Sequence, residues 1–135
     1  AARQASVEKE IGRFPEGFKT LVGERGVTLS GGQKQRISIA RAMIKDPEIA
    51  VFDDCLSAVD SRTENEIIGN LYEFLKEKTA IIITHRIFSL FAFDSIIVMD
   101  EGKIVERGTH DELLMLNGYY TEMYRQQQEQ ELNEE

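Results

Sequence analysis

Cysteine occurs once in this 135-residue chain, at Cys55, and histidine twice, at His85 and His110. A single thiol cannot close an intramolecular disulfide, which favours a reducing, cytosolic setting. So few histidines and thiols also argue against a protein-made metal cage. Long hydrophobic runs are missing: AIIIT and SIIVM have strand length, far below the roughly 18–20 apolar residues of a membrane span. No N-terminal stretch reads as a signal peptide, and the chain as given is expected to be soluble. Positive charge is in deficit, with a net charge of −8 partly concentrated in the tail QQQEQELNEE. A nucleic-acid surface needs a basic face, so no nucleic-acid partner is expected. No internal repeat is visible. A phosphate-cradling G-x-x-x-x-G-K-[ST] loop is also wanting. Gly12 and Gly17 have its spacing, but Phe18 stands where the lysine belongs, Lys19 falls one place late, and Pro15 interrupts.

What is present suits one ordinary domain with a real core, at 41% apolar residues. A first helix is expected over about residues 3–12, stopped by Gly12 and Pro15. A Gly-rich connector, 16–29, leads to Ser30, an N-cap for a helix reaching about Ile44 with Ile37, Ala40 and Ile44 on one face. Asp46-Pro47 ends it. IAVF (49–52) is wholly apolar, as a strand buried on both faces reads, and AIIIT (80–84) is a second. Between them, 60–78 reads as a helix opened by the capping box Ser61-x-x-Glu64, with Ile67, Ile68, Leu71 and Leu75 inward. A short helix is expected after His85, then a hairpin turning at Glu101-Gly102. Thr109-x-x-Glu112 is a further capping box, opening a helix through Leu116, and Gly118 starts a last helix fraying into the tail. Apolar strands alternating with helices indicate an α/β domain around a mostly parallel sheet, whose ligands sit at the carboxyl ends of strands. Those ends carry Asp53-Asp54 and Thr84-His85.

Four stretches carry chemistry. In LSGGQ (29–33), Gly31 and Gly32 leave backbone N–H groups uncovered at a helix N-terminus beside the Ser30 hydroxyl, an arrangement that binds phosphate. In IAVFDD, a strand ends on Asp53, placed to hold Mg²⁺ through water beside nucleotide phosphates, with Asp54 next to it. His85 closes IIITH. TLVGERG (20–26) precedes LSGGQ by a few residues. Taken singly, each admits an ordinary reading: a Ser N-cap, an acidic turn, a structural histidine, a solvated connector. Cys55 is most simply a small apolar filler, His110 a surface residue, and the YYTEMY stripe core packing or docking.

The combined string LSGGQKQRISIARA, followed at this distance by IAVFDD and SAVD (57–60), resembles the ATP-binding-cassette (ABC) superfamily. More narrowly, GERGVTLSGGQKQRISIARA and GYYTEMYRQQQ resemble bacterial Mdl-type multidrug half-transporters. The resemblance implies the C-terminal portion of a P-loop NTPase-like ATPase domain, a partial α/β fold with a C-terminal β-hairpin and helices. Residues 1–46 would be the end of the helical subdomain with X-loop and signature helix. Residues 47–125 would hold Walker B, D-loop, switch histidine and the C-terminal part of the core, and 126–135 a disordered acidic tail. The Walker A loop, Q-loop and membrane domain would lie upstream of Ala1.

Leu29, Ser30, Gly31, Gly32 and Gln33 are then expected on the ATP of a partner subunit in a head-to-tail dimer. Asp60 of the D-loop makes a dimer contact, Asp53 holds Mg²⁺, and Asp54 and His85 act on the attacking water. Thr20 to Gly26 matches the exporter X-loop that touches the membrane domain, with Leu21 replacing its usual acidic residue. Active members carry glutamate where Asp54 stands, a carboxylate one methylene shorter. The resemblance therefore implies the degenerate-site subunit of a heterodimeric exporter of multidrug or lipid-like substrates, on the cytoplasmic face of the bacterial membrane. The chain by itself is expected to be inactive. Alternatives are a non-transport cassette ATPase and a regulatory ATP-binding half with little turnover.

Overall fold

The computed structural model describes residues 1–55, 57, 61–88 and 91–134. It divides into two compact units, Ala1–Thr84 and His85–Glu135.

The first unit begins with turns and a short helix α1, Glu8–Ile11. This is shorter than the sequence predicts, because Ser6 sits at φ 52°, a left-handed conformation no helix can run through. Helix α2 spans Gly31–Ile44 with Ser30 as N-cap. Its buried residues are Ile39 and Met43, whereas Ile44 is exposed. The expected inward face is thus turned aside from Ile44. Asp46, at φ 46°, reverses the chain after the helix, and its carboxylate accepts from Lys78 Nζ at 2.7 Å.

Strand β1, Ile49–Asp53, pairs in parallel with β2, Thr79–Ile83, in the register Ala50 to Ala80 and Phe52 to Ile82. Helix α3, Ser61–Leu75, joins them. Ile67, Ile68, Leu71 and Leu75 of α3 are buried as expected, together with Ala50 and Phe52 of β1. The side chains of the expected Ser61/Glu64 capping box lie outside the described residues.

One expectation is overturned here. The two strands are not buried on both faces: Ile49 is 64% and Val51 59% exposed, and Ile81 and Ile83 are each 51% exposed. In β1 burial alternates with the pleat, so one apolar face of the pair stays open.

The second unit is built on a hairpin. Strands β3, Ile96–Asp100, and β4, Lys103–Gly108, pair antiparallel with an irregularity between Val98 and Met99. The turn falls on Glu101 (φ 45°) and Gly102 (φ 75°), the two left-handed residues of a type I′ turn. Thr109 and Glu112 form the reciprocal capping box of α4, His110–Leu116, which closes on Asn117 in the left-handed region. Helix α5, Tyr119–Glu134, is capped from outside by Glu106, whose carboxylate accepts the backbone N–H groups of Tyr119 (2.6 Å) and Tyr120 (2.9 Å).

Val98, Leu113 and Tyr120 form this unit's core, with Ile87, Ile96 and Leu114 packed against it. Two features differ from expectation. Residues 85–88 are not helical, and Ile87 is instead tied by its backbone N–H and carbonyl to the Gln127 side chain. The tail that composition marks as disordered is helical to Glu134, lined by Gln126–Glu122 and Gln127–Glu131 hydrogen bonds.

Candidate functional site

The start of α2 is a built loop. Ser30 is extended at φ −67°, ψ 164°, and its Oγ accepts the Gln33 N–H at 3.2 Å. In return Gln33 Oε1 accepts the Ser30 N–H at 2.9 Å, completing a capping box. Gly31 and Gly32 occupy the first two helical positions, where N–H groups have no partner within the helix and the positive end of the dipole lies. Gly31 is exposed, Gly32 half-buried, and Leu29 half-buried just before them. The loop can therefore present two N–H donors and the Ser30 hydroxyl to an anion.

Both ends of the Gln33 amide are engaged within the chain. Nε2 donates to Glu10 Oε2 at 2.8 Å, while Oε1 holds Ser30. The same Glu10 carboxylate meets Arg36 Nη2 at 2.7 Å. Sequence reading singled out neither Glu10 nor Arg36. Their pairing spans 26 positions, from α1 to α2, and no local pattern signals it.

At the carboxyl end of β1, Asp53 and Asp54 are exposed. The Asp54 N–H donates to the Ile83 carbonyl at 2.8 Å, so the end of β2 fixes it in place. Asp54 itself is at φ 46°, which aspartate tolerates better than most residues. From α2, Gln35 Nε2 donates to the Asp54 carbonyl at 3.3 Å and to Ser57 Oγ at 2.8 Å. This contact is a second one the sequence did not announce. It ties the signature helix to the strand end.

Among the described residues no group of three His, Cys, Asp or Glu side chains is placed to hold a metal ion. The open Asp53 carboxylate fits instead the sparse manner of Mg²⁺, which keeps its waters and takes one or two carboxylates plus substrate phosphates. Burial pushes the Cys55 thiol up to about 11, with the Asp54 charge adding to it. At pH 7.5 the thiolate, the reactive form, is therefore a minor species, on the order of a thousandth or less. Iodoacetamide should leave Cys55 unlabelled in the folded chain at that pH, with alkylation measured by mass spectrometry rising only as pH approaches 11 or on denaturation. Rapid labelling at neutral pH would contradict the filler reading.

His85 is exposed and opens the second unit, just past β2. Asp60 lies outside the described residues. The loop Thr20 to Gly26 is folded on itself: Val27 N–H donates to Leu21 O at 2.9 Å and Gly23 N–H to Val27 O at 3.3 Å. A side chain at Gly26 would collide with the Leu21 carbonyl, so glycine is required there. Leu21 and Val22 project from it, 74% and 55% exposed. His110 is not a bare surface residue, since its Nδ1 lies 2.8 Å from the Tyr120 hydroxyl and its ring is edge-on to Tyr120 and Tyr124.

Residues 2–57 match the family model described as ABC transporter. The chain is 56% identical over 128 residues to the probable multidrug resistance ABC transporter ATP-binding/permease protein YheI of Bacillus subtilis (strain 168), covering 95% of this chain and 22% of that protein. It is 54% identical over 127 residues to the multidrug resistance-like ATP-binding protein MdlA of Escherichia coli (strain K12), covering 94% and 22%. Among solved structures it is similar to that of a bacterial Atm1-family ABC exporter with ATP bound, with a TM-score of 0.81 and 42% identity over 93% of this chain and 22% of the other. The chain thus spans about a fifth of the length of these curated relatives. Its α/β fold is that of an ABC ATPase in part, and over nearly its whole length the chain is similar to the ATP-binding part of ABC transporters.

Proposed function

We propose that this chain supplies the signature and Walker B elements of an ATPase that drives an ABC exporter of multidrug or lipid-like substrates. The carrying observation is the start of α2, where a capping box holds Ser30 and leaves the Gly31 and Gly32 N–H groups at the helix's positive end. On this reading Leu29 to Gln33 close on an ATP bound mainly by a partner subunit. Asp53 orients water around Mg²⁺, which when bound neutralises phosphate charge. Asp54 takes the role of catalytic carboxylate and His85 that of switch histidine in hydrolysis of this chain's own ATP, and Asp60 contributes to the dimer seam. Thr20 to Gly26, a closed loop with apolar Leu21 and Val22 outward, couples to a membrane domain. The cytoplasmic membrane face is where such a domain works.

Asp54 makes the partner a different subunit. A positioned base contributes roughly 10²–10⁴-fold, and a carboxylate one methylene short forfeits part of that reach. The assay is ATP hydrolysis by a polypeptide of the relatives' full length carrying this chain, purified alone and with a subunit bearing glutamate at the equivalent position. Slow turnover alone and fast turnover with the partner is the expected result. Vigorous turnover alone would overturn the heterodimer, and no hydrolysis in either preparation would overturn the ATPase reading.

A further inference from the structure

We infer that Glu10 is a positioning residue for the signature loop, acting through Gln33 and Arg36 on the nucleotide that Gly31 and Gly32 face. This rests on the ATPase reading above.

The geometry is a single carboxylate shared by two side chains of α2. One oxygen takes the Gln33 amide at 2.8 Å and the other the Arg36 guanidinium at 2.7 Å. Each of these donors holds one flank of the Gly-Gly pair. Gln33 grips the Ser30 N–H on the N-terminal side. Arg36 Nε donates to the Gly32 carbonyl at 3.3 Å on the other, and its Nη1 donates to the Ser6 carbonyl at 2.9 Å.

A capping glutamine has three rotatable bonds and would otherwise be free to swing away from Ser30. A charged acceptor on its far end removes that freedom, and charge-assisted hydrogen bonds are about twice as strong as neutral ones. The pair is also well placed to be worth something, since the Arg36 side chain is only 12% exposed and that of Glu10 30%. Surface ion pairs contribute little, but removing one partner from a pair this sheltered is costlier, because it leaves the other charge uncompensated.

The arrangement also settles a charge problem. A bare carboxylate close to the first turn of α2 would oppose a phosphate arriving there. Arg36 neutralises it, so Glu10 can brace the loop without repelling the anion. Gln33 then contributes to nucleotide closure as a strut, its amide already spent on Ser30 and Glu10.

The test uses the assembled full-length transporter with its glutamate-bearing partner. Glu10→Ala should lower kcat about ten-fold, since small misplacements of a site are costly. Binding of a fluorescent ATP analogue to the resting subunits should be unchanged, because their phosphate loops are untouched. A double-mutant cycle with Gln33→Ala separates positioning from general support. If Glu10 acts through Gln33, the double variant should be no slower than the slower single, whereas independent sites add. Glu10→Gln keeps the shape and one acceptor, so it should fold even where Glu10→Ala does not, with kcat reduced about three-fold. Unchanged kcat in Glu10→Gln and Glu10→Ala, or strictly additive losses in the cycle, would overturn the inference. Absent hydrolysis in the unsubstituted transporter would instead overturn the reading beneath it.

Discussion

Gly31→Asp should stop hydrolysis at the partner's site, lowering turnover of the assembled transporter by at least about 100-fold. A carboxylate about 4 Å from a phosphate oxygen costs roughly 4 kcal/mol at an effective dielectric of 20, which corresponds to nearly three decades in rate. The same side chain would also crowd the N–H groups of the first turn. Folding should not suffer, because an acidic residue in the first turn of a helix is favoured by the dipole by about 0.3–1 kcal/mol. Loss of activity with an unchanged melting temperature and intact ATP binding to the phosphate loop of the same full-length subunit is therefore the expected pattern. Normal turnover would mean that the Gly-Gly end of α2 does not face the nucleotide.

Asp54→Glu carries the second large effect, in the opposite direction. Restoring the methylene should raise turnover at this chain's own site at least ten-fold, a modest share of the roughly 10²–10⁴ that a positioned base supplies. The backbone sets a limit on the gain. Asp54 sits at φ 46°, where aspartate is several-fold enriched over most residues and glutamate has no such advantage. Part of the gain is then offset by a conformational cost on the order of 1 kcal/mol, unless closing the dimer moves this residue out of the left-handed region. ATP affinity should change little, since Asp53 and the phosphate loop carry it. Single-turnover hydrolysis with the partner's site inactivated reads this directly. No gain would show that Asp54 already reaches its water, and the case for a degenerate site would fall.

How much of this was legible in the sequence depends on distance along the chain. The Ser30 N-cap, the Thr109/Glu112 capping box and the Glu101-Gly102 turn are local chemistry, and each sits where the pattern places it. The α3 stripe of Ile67, Ile68, Leu71 and Leu75 was equally readable, because helical periodicity declares its own buried face. The braces on the site were not. Glu10 reaches Gln33 across 23 positions and Gln35 reaches Ser57 across 22, and nothing in either local window distinguishes them from exposed polar residues. The strands misled for another reason. An all-apolar run announces that both faces want cover, and says nothing about whether this stretch of chain provides it.

That open face has a practical consequence. Ile49, Val51, Ile81 and Ile83 form a β-branched apolar surface on a two-stranded sheet whose outer edges have no strand neighbours among the described residues. Unpaired edges beside exposed Ile and Val are templates for intermolecular strand addition. The 135 residues expressed by themselves should therefore behave colloidally, gathering into β-rich oligomers as concentration rises. A lysine in place of Val51 would be the gatekeeper that keeps them dispersed.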